Sequence, residues 1–170
     1  MALERLLGDM AVAQFVQMHL HRVPLSRPNG ARHLAGLADW SLIERVLAQP
    51  GVDALVARAG ALREGADRGA PGFPEMRRLH EDGWTLGVRH AEKHDPALAR
   101  LAEEFAADFA APVNIHLYCT PPGASGFGWH YDAEDVFILQ TEGRKEYLLR
   151  KNTVNPWPLE ETLPRDMRFE

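Results

Sequence analysis

The chain has a single cysteine, Cys119, in 170 residues. An internal disulfide and any multi-cysteine zinc or iron–sulfur site are therefore excluded. No apolar run reaches the ~18 residues of a membrane span. The N-terminus, MALERLLGDM, carries acidic residues early and has no secretory h-region. These absences lead us to expect a cytoplasmic protein. Positive charge is not in excess: 19 Lys and Arg against 24 Asp and Glu give a net charge of −5. That balance offers no electrostatic case for direct nucleic-acid or membrane-surface binding. Internal repeats and low-complexity tracts are absent as well. The remaining make-up, 45% apolar and 25% charged, is that of an ordinary globular domain. The length suits one domain, or one domain with an appendage.

The first two-thirds reads as scaffold. Leu3, Leu6, Leu7, Met10, Phe15 and Met18 recur with a rough helical period over residues 3–20. Pro24, Pro28, Asn29 and Gly30 mark a loop. Ser41 to Leu47 predicts a short helix capped by Asp39 or Ser41, ended by Gln49-Pro50-Gly51. Val52 to Leu55 and Ala57 fit either a strand or the start of a helix. Arg63 to Phe73, rich in Gly, Arg and acids, predicts an exposed loop. Pro74 to Asp82 predicts a helix stopped by Gly83, and Trp84 to Val88 a strand. The clearest helix is Pro96 to Ala110. Asp95 can cap it and Pro96 occupies the first helical position, while Leu98, Leu101, Ala102, Phe105 and Phe109 form one apolar face. His90 and His94 precede that helix and read as surface residues.

After Pro112 the period changes. Val113 to Thr120, Trp129 to Asp132, Val136 to Thr141 and Lys145 to Arg150 read as strands, with Glu142-Gly143-Arg144 turning the last two into a hairpin. Asn155-Pro156-Trp157-Pro158 breaks the pattern, and Met167 to Glu170 resumes it. The expected class is α+β: a helical N-terminal region with a few strands (1–111), then a partial β-barrel or sandwich (112–170).

The most informative tripeptide is His130-Tyr131-Asp132. Side chains at i and i+2 of a strand share a face, so an imidazole and a carboxylate stand side by side and can chelate one metal ion. Two His and one carboxylate form the facial triad of non-haem Fe(II) oxygenases. By itself the tripeptide is a weak signal, and a surface strand with a polar face is the better reading of it alone. Gly126-Phe127-Gly128-Trp129 leads into it, with small residues that allow close approach; Phe127 and Trp129 are either core or shielding for a pocket. Lys145 opens the return strand of the hairpin. Pointing inward, it calls for an anion such as the carboxylate of a small dicarboxylic acid; pointing outward, it is an edge charge beside Arg144.

His116-Leu117-Tyr118-Cys119-Thr120-Pro121-Pro122, then Gly126-Phe127, His130-Tyr131-Asp132, Asp135-Val136-Phe137-Ile138-Leu139-Gln140 and Glu142-Gly143-Arg144-Lys145 together resemble the cupin-like JmjC family. Within it the similarity is to the ribosomal oxygenases, which hydroxylate side chains of ribosomal proteins. The resemblance is close over residues 112 to 150 and loose over the helical lead-in. It implies a double-stranded β-helix, or cupin jelly-roll, and a dioxygenase using Fe(II) with 2-oxoglutarate as cosubstrate to hydroxylate a ribosomal or other protein side chain. By the same resemblance His130 and Asp132 match the first two iron ligands. Lys145 matches the residue that binds the distal carboxylate of 2-oxoglutarate, with Tyr118 assisting. His116 falls where the ribosomal oxygenases more often carry asparagine, within hydrogen-bonding reach of the same pocket. The family's third ligand is a histidine on a later strand. No histidine follows His130, so the sequence resembles the front part of an oxygenase core. A small-molecule hydroxylase on the same fold and a cupin-like binding module with an incomplete metal site are the alternatives, and an oligomer is compatible with each.

Overall fold

A computed structural model describes residues 1–64, 69–128, 130, 132 and 134–149. Two short helices, α1 (Ala2–Leu7) and α2 (Val12–Met18), open the chain. They account for the rough helical period over residues 3–20, broken between them at residues 8–11. Gly8 adopts φ 62° and turns the backbone, an inexpensive conformation only for a residue without Cβ. After the Pro/Asn/Gly loop, α3 (Trp40–Leu47) starts at Asp39, whose carboxylate accepts from the Leu42 N–H at 2.8 Å. The ambiguous stretch that follows is a strand, β1 (Asp53–Arg58), turned tightly into β2 (Ala61–Leu62). Helix α4 (Phe73–Glu81) and strand β3 (Thr85–Arg89) come next. Helix α5 (Pro96–Phe109) starts at Asp95, which accepts from the Ala97 and Leu98 N–H groups. Strand β4 (Leu117–Cys119) completes a four-stranded antiparallel sheet in the order β2-β1-β3-β4.

One face of this sheet carries the core. Ala54 and Val56 of β1, Leu86 and Val88 of β3 and Leu117 of β4 pack against Leu42, Ile43 and Val46 of α3, Met76 of α4 and Leu98 of α5. A smaller cluster joins Leu3 and Leu7 of α1 to Phe15 of α2, with Phe109 of α5 alongside. Helices therefore cover one side, and the opposite face is where polar and aromatic residues gather. A cross-strand row on that face runs Leu55, Gly87, Tyr118.

The last strands expected from sequence do not form as written. Of Val113 to Thr120 only Leu117–Cys119 is paired. Val136 to Thr141 and residues 145–149 make no ladder among the described residues, and Val136, Ile138, Leu148 and Leu149 are exposed. Alternating apolar residues make a strand only where a neighbour supplies hydrogen bonds and burial. Gly143, with φ 71°, does turn the chain between the two segments. Residues 150–170, including the Asn155–Pro158 breaker and the run Met167 to Glu170, lie outside the described residues, as do Trp129 and Tyr131.

Candidate metal and cosubstrate site

The open face of the sheet is kept clear by a glycine. A Cβ on Gly87 would stand 3.1 Å from both Tyr118 Cε1 and Phe127 Cζ, closer than ordinary contact. Without one, the Tyr118 and Phe127 rings meet edge to face over β3, 5.6 Å apart. Phe127 then leads to His130, with ring centroids 6.5 Å apart.

The segment that bears His130 is tied to the β1–β2 turn. The Ala59 N–H donates to the Ser125 carbonyl and the Gly60 N–H to the Gly126 carbonyl, each at 2.8 Å. Beyond them, His130 Nδ1 lies 2.7 Å from the Gly128 carbonyl. A carbonyl can only accept, so Nδ1 carries the proton, and in the neutral ring Nε2 is left with its lone pair. Nε2 faces Asp132 Oδ2 at 3.9 Å. Two acceptor atoms held face to face repel unless a cation or proton lies between them. An ion with bonds of about 2.1 Å to each can span such a gap, and a ligating imidazole usually donates its other nitrogen to a carbonyl in this way. Neighbouring ligands with bonds of that length stand about 3.0–3.4 Å apart, so the pair faces one ion position and must close by under an ångström to hold it. Among the described residues no group of three His, Cys, Asp or Glu side chains gathers to complete a set. Both side chains are a little over half exposed, at 57% and 52%.

Lys145 belongs to a second group. Its Nζ donates to Thr120 Oγ1 at 3.2 Å and lies 5.8 Å from the centre of the Tyr118 ring and 5.4 Å from that of Tyr147. Lys145 therefore leans over the aromatic face and not out beside Arg144, and burial lowers the pKa of its ammonium. The Tyr118 phenol is pushed up, by burial first and then by the negative charge of Asp132, with Tyr147 adding and Arg89 opposing. That influence links the two groups electrostatically. His116 stands further along the sheet, its ring 5.9 Å from His90 and 6.4 Å from Tyr118. His90 was expected at the surface. Its side chain is 38% exposed, and its backbone is left-handed at φ 52°, where the chain turns and the Ala91 N–H reaches the Ile115 carbonyl. Sequence reasoning missed Thr120 and Gly87. Thr120 could have been found from its i+2 spacing to Tyr118, which puts both on one face of an extended chain.

A sheet backed by helices, with an imidazole–carboxylate pair and a lysine at its uncovered face, has the character of a cupin-type oxygenase core. Residues 88–168 match the JmjC domain. The chain is α+β and carries part of a jelly-roll core. Its relatives are of the ribosomal-oxygenase kind. It is 35% identical over 86 residues, 51% of this chain and 16% of the relative, to the bifunctional lysine-specific demethylase and histidyl-hydroxylase NO66 of Dictyostelium discoideum. The NO66 protein of Drosophila mojavensis is 27% identical over 139 residues, 80% of this chain and 16% of its own length. Ribosomal oxygenase 2 of Rattus norvegicus is 37% identical over 70 residues, 41% of this chain and 15% of its own. The chain thus spans 15–16% of the length of these relatives. Among the described residues no helix is long and apolar enough to cross a membrane.

Proposed function

We propose that this chain carries the site of an Fe(II)- and 2-oxoglutarate-dependent oxygenase that hydroxylates a protein side chain, in a cytoplasmic protein. The observation that carries the reading is the tautomer of His130, whose Nδ1–H is committed to the Gly128 carbonyl while Nε2 faces the Asp132 carboxylate. His130 and Asp132 would hold the iron, which when bound supplies the dioxygen chemistry. Lys145 and Tyr118 receive the far carboxylate of 2-oxoglutarate. Thr120, already accepting from Lys145, orients the ammonium. His116 and His90 border the same face and contribute to its wall. The names of the relatives support a protein substrate, a ribosomal protein among them.

The test is calorimetric. Anaerobic titration with Fe(II), followed by 2-oxoglutarate, should give metal binding that requires His130 and Asp132, and 2-oxoglutarate binding that requires both the metal and Lys145. Binding of 2-oxoglutarate that ignores the metal and survives loss of Lys145 would refute the assignment. Succinate release in a screen of histidine- and arginine-bearing ribosomal peptides then identifies the substrate. The absence of a three-ligand cluster among the described residues favours one second reading, a cupin-like module that binds metal and keto acid without turnover. Coupled succinate release excludes it.

A further inference from the structure

The metal pair depends on a contact far from it in sequence. The β1–β2 connection is a two-residue turn, Ala59-Gly60, with φ values of 51° and 82°, the left-handed pair of a type I′ hairpin. Its two N–H groups bond the carbonyls of Ser125 and Gly126. Its second residue also meets Gly128 backbone to backbone. A Cβ on Gly128 would lie 3.3 Å from Gly60 Cα, and a Cβ on Gly60 would lie 3.4 Å from Gly128 Cα. A side chain on Gly128 would need Gly60 to give slightly, and one on Gly60 would fill the contact with no room to spare. Gly128 is also the residue whose carbonyl fixes the His130 proton on Nδ1.

We infer that Gly60 is a positioning residue for the metal site: seated against Gly128, it sets the carbonyl that selects the His130 tautomer and so aims Nε2 at the ion. The inference rests on the metal reading of His130 and Asp132, which it deepens. The chain of cause is short. Crowding this contact shifts Gly128 and turns its carbonyl, and the bond to His130 Nδ1 weakens steeply once its angle falls toward about 120°. The ring is then free to carry its proton on Nε2, where it blocks a metal.

The experiment compares Gly60→Ala and Gly128→Ala with the parent chain at pH 8, reading the His130 tautomer by nitrogen-15 NMR and Co(II) affinity by absorption titration. Gly128 is not among the residues with positive φ, so its substitution tests the contact even where Gly60→Ala fails to fold. Gly51→Ala serves as the control. Gly51 has φ 71° and nothing within 4 Å of an added Cβ, so it carries comparable backbone strain without the contact. Both test variants should lose the uniform Nδ1–H tautomer and bind Co(II) about tenfold more weakly, the usual effect of losing a group that orients a ligand. The control should match the parent in both readouts. Unchanged tautomer and affinity in Gly128→Ala, or equal losses in Gly51→Ala, would overturn the inference. If instead Asp132→Ala leaves Co(II) binding by the parent chain intact, the metal reading is what fails, and the tautomer measurement still decides whether Gly60 holds His130.

Discussion

Replacing Asp95 tests how firmly the scaffold is set. Its side chain is 5% exposed, and the carboxylate accepts from the Ala97 N–H at 2.9 Å, the Leu98 N–H at 3.3 Å and Arg45 Nη2 at 3.1 Å. Alanine would remove a helix cap, worth about 0.5–2 kcal/mol, and leave two N–H groups without an acceptor, at about 1–3 kcal/mol each when buried. These costs overlap, so the expected loss is about 2–3 kcal/mol. For a chain of this size that is about 4–12 °C in Tm. Asparagine keeps an acceptor but gives up the charge shared with Arg45, and should fall between alanine and the parent. Burial opposes ionisation of Asp95, but Arg45 and the two N–H groups outweigh it, so the carboxyl titrates below its usual range. A lowered carboxylate pKa means the contribution is complete above the unfolded value and vanishes as pH falls through the folded one. The stability gap between parent and Asp95→Asn should therefore narrow on acidification. Urea unfolding at several pH values measures both effects. A loss under about 0.5 kcal/mol for Asp95→Ala, smaller than a typical cap, would show that α5 is held in some other way.

Asp132→Ala should abolish Fe(II) binding, read as metal content after anaerobic loading and desalting. Lys145→Met should weaken 2-oxoglutarate binding at least about tenfold, the lower end for a charge-assisted hydrogen bond. Because burial lowers the Lys145 pKa and only the protonated amine attracts a carboxylate, that affinity should decline with rising pH earlier than for an ordinary lysine; calorimetry across the alkaline range follows it. Cys119, whose thiol is pushed up to about 11 by burial, with Glu142 adding, should react slowly with a disulfide reagent at pH 8 and quickly once the chain is unfolded, since the thiolate is the nucleophile.

Where local chemistry decides structure, the sequence was readable. Asp95-Pro96 announces α5, Asp39 announces α3, and Gly83 ends the connection after α4. The break between α1 and α2 was hidden because the apolar period runs straight through Gly8. The β1–β2 turn was hidden because Ala59 occupies a left-handed position normally filled by Asn, Asp or Gly. Of the three strands between residues 53 and 89, β3 was legible from the alternation of Trp84 to Val88, whereas the pattern at β1 did not separate strand from helix. Of the proposed site, His130 and Asp132 were visible through their i, i+2 spacing, and Lys145 through its place after a turn. The Gly60–Gly128 contact and the seat of Thr120 were not, since each joins segments far apart in sequence.

Phe137 has a mechanical consequence. It packs against Phe109 at 5.0 Å, Phe15 at 6.1 Å and Phe105 at 6.4 Å, and two positions earlier Asp135 pairs with His21 at 2.7 Å. The strip bearing the proposed ligands is thus moored at one end to a hairpin and at the other to α5, α2 and the residues just after α2. Tension at either mooring is felt between them. Altering Phe15 or His21, far from any chemistry, amounts to slackening one end of a rope on which the proposed ligand groups hang.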